Sequence, residues 1–175
     1  MDEIDYIHTN IKIYPCPHCK LIGFLIMHGY LTGYDENNQS DIIKRGYRIF
    51  CSNRDNRKGC GKTFSIIKSC FIKGFTITAN TVNLFISNIV NGFNISRSFY
   101  LTNIKISISS IYKLYNRFKL TQPQIRSILF ADSKPPENNK TDNPVILTYL
   151  HIKQRFKDQD CPITAFQHHF QRSIF

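Results

Sequence analysis

Four cysteines in two pairs limit what this chain can fold into more than any other feature. Cys16-Pro17-His18-Cys19 places two thiols on one short turn, and Cys51 and Cys60 supply two more. A two-residue spacer lets a tight knuckle aim both sulfurs at one ion, and a structural zinc site wants a closed tetrahedral set of soft ligands. Pro17 stiffens that knuckle, and Gly61, directly after Cys60, gives the second turn its backbone freedom. Strands are expected to leave the knuckles over 21–27 and 63–67 and to pair across the metal, with 47–50 as a third. Phe64 is expected to pack against the cluster. Such a module is too small to fold on apolar burial alone, so Zn2+ is expected to supply folding energy directly. The ligand set is read as Cys16, Cys19, Cys51 and Cys60. His18 and Cys70 stand as alternative donors, and an iron–sulfur cluster as the alternative cofactor, which the basic surroundings and strand context disfavour. Cys70 and Cys161 have no near ligand partners and read as small hydrophobes.

The charge pattern is the second constraint. The 175 residues carry 23 Lys and Arg against 12 Asp and Glu, a net charge of +11. The excess is concentrated: residues 44–73 hold nine basic side chains and only Asp55, and residues 56–131 hold no acid at all. Positive potential over 44–130 suits a polyanionic partner. The eight residues between Cys51 and Cys60 exceed what a knuckle needs. They are expected to project as a basic loop carrying Arg54, Arg57 and Lys58, with Lys62 just beyond, placed to touch phosphates. The start is acidic and shows no export signal, and no apolar run approaches the roughly 18–20 residues of a membrane span. A cytoplasmic location without membrane attachment follows as an expectation, and it favours metal over disulfides.

From residue 76 the apolar period changes from two to between three and four. Thr78 is expected to cap a helix with Val82, Phe85, Ile86, Ile89 and Val90 on one face, stopping at Gly92. A short helix over 95–101 follows, then one opened by Ser107, with Ile108, Ile111, Tyr115 and Phe118 on a face and Leu114 beside them. Thr121 is expected to cap a separate segment with Pro123 in its first turn. The stretch 132–143, with Pro135-Pro136, reads as a linker; Pro144 and Pro162 each begin a further helix. The N-terminal nine residues read as a loose tail. The fold class is thus α+β: a small N-terminal β zinc ribbon over 10–75, then a helical, helix-turn-helix-like segment over 76–131, a linker over 132–143, and C-terminal helices over 144–175.

Residues 107–118 have the composition of a groove-reading helix. Ser109 and Ser110 stand in the first turn, with Tyr112, Lys113, Asn116 and Arg117 further along. The candidate nucleic-acid contacts are Arg48, Arg54, Arg57, Lys58, Lys62, Arg97, Lys113, Asn116, Arg117 and Arg126. The expected partner is double-stranded DNA. RNA binding or protein interaction is the alternative, with Tyr47, Arg48 and Phe50 as residues to stack on unpaired bases. A nuclease or recombinase using Tyr112 or Tyr115 beside Arg117 is a third reading.

The ribbon residues also resemble a known group. Cys16-Pro17-His18-Cys19, Arg45-Gly46-Tyr47-Arg48-Ile49-Phe50-Cys51 and Gly59-Cys60-Gly61-Lys62-Thr63-Phe64 look like the zinc-ribbon region of transposase-related proteins of bacterial insertion elements. Ser109-Ser110-Ile111-Tyr112-Lys113-Leu114 resembles their recognition helix, where a tryptophan often stands at the place of Leu114. Cys161-Pro162-Ile163 and Phe166-Gln167-His168-His169-Phe170-Gln171 resemble their tail. The resemblance implies a bacterial, nucleoid-associated protein that recognises element-end DNA, as a homodimer or with a separate catalytic transposase subunit. It departs from a full transposase in one respect. Strand transfer needs three carboxylates holding two metal ions, whereas Asp132, Glu137 and Asp142 crowd one Pro- and Asn-rich stretch. A non-enzymatic protein is therefore expected.

Overall fold

In the computed structural model, residues 3–137 and 141–175 are described, with side chains from Tyr6 onward. The chain divides into two compact units, Met1–Asp35 with Gln39–Lys68, and Glu36–Asn38 with Ser69–Phe175. The first is a three-stranded antiparallel sheet flanked by a four-cysteine cluster; the second is a helical bundle.

The first unit opens with α1 (Glu3–Asn10) and a single 3-10 turn (Ile11–Ile13), then β1 (Leu25–Tyr34), β2 (Ile42–Cys51) and β3 (Thr63–Ile67). β2 is central, pairing with β1 on one side and β3 on the other. Leu25 faces Cys51, Met27 faces Ile49 and Ile49 faces Phe64, so one face of the sheet gathers an apolar row. Leu25, Ile49 and Cys51 of that row form the buried core of this unit with Ile11, Cys16 and Tyr47, and the partly buried Met27 and Phe64 pack against it. Two register shifts, between Met27 and Gly29 and between Leu31 and Thr32, insert an extra residue into one strand each.

The second unit comprises α2 (Ala79–Val90), α3 (Ile95–Tyr100), α4 (Ile108–Asp132), α5 (Pro144–Arg155) and α6 (Pro162–Phe170). Thr78 caps α2, its hydroxyl oxygen accepting the Thr81 amide at 3.3 Å. The Glu36 carboxylate accepts the Thr78 amide at 2.6 Å and the Thr81 hydroxyl at 2.9 Å, placing an anion where the helix dipole favours one. Val82, Phe85 and Ile86 of α2 pack with Ile111, Leu114, Phe118, Ile125 and Leu129 of α4. Val145, Tyr149 and Ile152 of α5 and Ile163 and Phe166 of α6 complete the same core. No helix among the described residues is long and apolar enough to cross a membrane.

Several expectations need correction. Residues 3–10 are helical instead of loose; their acids come first and His8 last, the order a helix dipole favours. Met1 and Asp2, the rest of that expected tail, lie outside the described residues. β1 begins at Leu25, not at 21, because the preceding backbone closes the first knuckle: the Cys16 amide donates to the Leu21 carbonyl and the Gly23 amide to that of Lys12. The strands leaving the two knuckles do not pair, since β2 lies between them. Ile108 is 46% exposed, so the packed stripe of α4 starts a turn later, at Ile111. The expected break at Thr121 is absent, and α4 runs unbroken through Pro123. Thr121 turns its hydroxyl back on the carbonyls of Arg117 and Phe118, so it does not cap the next turn, and buried Ile125 and Leu129 keep the stripe in register. The helix also takes the first position of the expected linker, whose residues 138–140 lie outside the described ones.

Because Pro123 sits inside a helix, where its missing N–H leaves the carbonyl four residues earlier unbonded, Pro123→Ala is expected to stabilise the helical unit. A gain of about 1–3 kcal/mol in denaturant unfolding is expected, while a neutral or destabilising change would indicate a helix start at this proline. The second expectation concerns Asp132, whose hydrogen bond from Arg155, opposed by desolvation and aided by the charges of Arg155 and His169, holds its carboxyl below the ordinary range. A depressed carboxylate stabilises the fold above its unfolded value and loses that contribution as pH falls through the folded one. Asp132→Asn is therefore expected to cost at most about 1 kcal/mol at neutral pH, given its solvent exposure. The gap to wild type should close once the pH is below the carboxylate range, as thermal unfolding across a pH series would show.

Candidate metal centre and basic surface

The two knuckles are built by different local means. In the first, the Lys20 amide donates to the Cys16 carbonyl at 2.9 Å, and Lys20 takes a left-handed φ of 65° to close the turn. In the second, the Gly61 amide donates to the Cys51 carbonyl and the Cys51 amide to that of Lys62, both at 3.0 Å. Gly61 has a φ of +70°, and a Cβ on Gly59 would lie 2.2 Å from the Ser52 carbonyl oxygen, so neither position accepts a side chain without rearrangement. The eight-residue spacer folds as a small excursion between those bonds. The Gly59 amide donates to the Ser52 carbonyl, and the Arg57 amide to that of Arg54. Asp55 and Asn56 have φ of 53° and 60°, the signature of a type I′ turn.

Four sulfurs converge as a result. Cys16 Sγ lies 3.8 Å from Cys60 Sγ, Cys19 Sγ lies 3.7 Å from Cys51 Sγ, and all four fall within 4.8 Å of one another. Zinc–sulfur bonds of about 2.3 Å at tetrahedral angles require sulfurs about 3.8 Å apart, which both pairs match, so the set can hold a metal ion such as zinc. Among the described residues no other group of three or more Cys, His, Asp or Glu side chains is arranged to hold a metal. His18 and Cys70, the alternative donors, are outside it. The His18 ring sits edge-on to Phe64 at 6.3 Å, and Phe64 packs against the sulfur cluster.

Amide donors complete the thiolate shell. The His18 amide points at Cys16 Sγ at 3.4 Å and the Cys60 amide at Cys51 Sγ at 3.3 Å. Desolvation works against the Cys16 thiolate, but the amides of Cys19 and His18 and the thiols of Cys51 and Cys19 outweigh it, lowering this group to about 7. Burial pushes the Cys51 thiol up to about 12 against the Cys60 amide. A divalent ion bound by Cys16, Cys19, Cys51 and Cys60 would supply what the pair lacks, a positive charge that would hold all four sulfurs deprotonated.

The candidate nucleic-acid residues fall into separate groups. Arg54, Arg57 and Lys58 are exposed on the excursion, and Lys62 is exposed just past the second knuckle. Arg48 is exposed on β2 opposite Ser65. The Arg54 guanidinium lies 5.2 Å from the Phe50 ring, whose centroid is 5.6 Å from that of His28. Tyr47 and Phe50 are 5% and 8% exposed, so they cannot offer the stacking faces expected of them; both are spent inside the sheet unit. In the second unit, Lys113, Asn116 and Arg117 share the exposed side of the first half of α4, and Arg97 is exposed on α3. Arg126 is half-buried and about 20 Å along the helix from Lys113, so it does not join them. Seven residues separate α3 from α4, more than the three or four of a compact helix-turn-helix. None of the nine basic candidates is in an ion pair with a described residue.

No protein-family model, no curated protein and no solved structure matches this chain.

Purified protein is expected to carry one zinc ion per chain by elemental analysis. Cys51→Ser should abolish it, whereas Cys70→Ser and Cys161→Ser should retain it. Chelation should unfold the sheet unit and leave the helical circular-dichroism signal largely in place.

Proposed function

We propose that this chain is a non-enzymatic, zinc-stabilised protein that binds double-stranded DNA through basic side chains on both units. The observation that carries this reading is the segregation of charge. Seventy-six consecutive residues, 56–131, contain no acid, and the candidate cations Arg57, Lys58, Lys62, Arg97, Lys113, Arg117 and Arg126 among them are in no ion pair with a described residue. Cations that are not neutralised internally raise the potential that a phosphate backbone meets. Their supports are also stiff: a turn tied to a knuckle, a central strand, and a 25-residue helix. The resemblance of the ribbon segments to transposase-related proteins points to element-end DNA as the target and to a bacterial cytoplasm, beside the nucleoid, as the corresponding location. A homodimer or a separate catalytic subunit is the corresponding assembly.

A binding role agrees with the surroundings of the groups that chemistry would need. Asp132, first of three closely spaced acids, is engaged by Arg155 and His169. Ser133 Oγ lies 3.1 Å from His151 Nε2, but that ring is 2% exposed and ties the end of α4 to α5. Tyr112 shares a hydrogen bond with Ser96 across α3 and α4.

Binding to duplex DNA is expected to weaken by on the order of a hundredfold or more between about 50 and 200 mM salt, measured by fluorescence anisotropy. Lys113→Ala and Arg117→Ala should each lower the slope of log affinity against log salt by about one. Affinity insensitive to salt, or unchanged in both variants, would refute the assignment.

A further inference from the structure

The sheet carries an aromatic surface that the metal centre does not use. Tyr30 pairs with Tyr47, Thr32 with Lys44 and Tyr34 with Ile42, and partners across a ladder project from one face. The register shift between Leu31 and Thr32 makes Arg45 the extra residue, which keeps Lys44 on the same face as Tyr47. Tyr30 is 64% exposed, Tyr34 54% and Ile42 68%. Single exposed rings are ordinary, but these are organised. Tyr47 is buried beneath Tyr30, with centroids 5.2 Å apart, and Lys44 Nζ lies 3.9 Å from the Tyr30 centroid and 4.3 Å from that of Tyr47. The Tyr30 ring is thus propped by a second ring and a cation, and most of it faces solvent. Tyr34 follows about 13 Å along the same strand, giving a second stacking position in line with the first.

Charge selects the occupant. On the face of the two tyrosines β2 offers Lys44 and no acid, whereas Arg48 projects from the other face and Arg45 lies over Gly33 there; Asp35 and Asp41 lie beyond Tyr34, so the cationic end is the Tyr30 end. A surface of fixed rings beside a lysine suits a polyanion with exposed π faces, which is single-stranded nucleic acid. Duplex bases are already stacked on each other and cannot use it. We propose that Tyr30 and Tyr34, with Lys44, form a stacking platform for unpaired bases, so that the protein prefers a duplex with a single-stranded arm over a blunt duplex. The platform rests on the DNA-binding reading above.

The test compares zinc-loaded, full-length protein on a blunt duplex and on the same duplex with a short single-stranded arm containing 2-aminopurine. The arm is expected to tighten binding about tenfold and its fluorescence to be quenched on binding. Tyr30→Ala with Tyr34→Ala should abolish both effects and leave blunt-duplex affinity unchanged; Tyr30→Phe with Tyr34→Phe should keep both. Blunt-duplex binding with no gain and no quenching from the arm overturns the platform and leaves the DNA-binding reading standing. Binding to neither substrate overturns both. Retention of the arm effect in the alanine pair also overturns the platform. Should the alanine pair lose zinc, Lys44→Glu takes its place: loss of the arm effect at full zinc content supports the platform, and no loss overturns it.

Discussion

Two turns far apart in sequence meet at four sulfurs, and the sheet unit is organised around that meeting. Cys19 and Cys51, 32 residues apart, come within 3.7 Å, and Cys16 and Cys60, 44 apart, within 3.8 Å. The core beside them is thin: Ile11, Leu25, Tyr47 and Ile49 with the two buried cysteines. Apolar burial on that scale rarely holds a unit of this size, so the closure of the sulfur set is the decisive contribution. It joins the loop before β1, the end of β2 and the turn into β3. The excursion that carries Arg54, Arg57 and Lys58 hangs from the same joint, so the position of those cations depends on it.

The helical unit is held by different means. Its core is continuous through α2, α4, α5 and α6, with large side chains such as Phe85, Phe118, Tyr149 and Phe166 almost wholly buried. α4 is the spine. One side of it supplies Ile111, Leu114, Phe118, Ile125 and Leu129 to that core, which leaves Lys113, Asn116 and Arg117 facing water. Internal packing and polar display are consequences of the same 3.6-residue period.

Short-range rules made much of this legible. The caps Thr78 and Ser107 and the first-turn prolines Pro144 and Pro162 mark helix starts because their chemistry is local. The spacing of Cys16 and Cys19 says they share a turn. The course of residues 21–24 was not legible, because knuckle backbone bonds override the β propensity of an apolar run. Nor was the continuity of α4, since a threonine and a proline at 121 and 123 fit a helix start as well as a helix interior.

Sequence alone determined the thiol set in two pairs, the concentration of positive charge, and the change from strand to helix periodicity near residue 76. Each is carried by residue identity or by spacing along a few turns. Tertiary structure decided that β2 is the central strand, that Tyr47 and Phe50 are buried while Tyr30 and Tyr34 are not, and that the Cys51–Cys60 spacer closes into a type I′ excursion. Those outcomes depend on strand order and register, and a single inserted residue such as Arg45 exchanges the faces of everything beyond it.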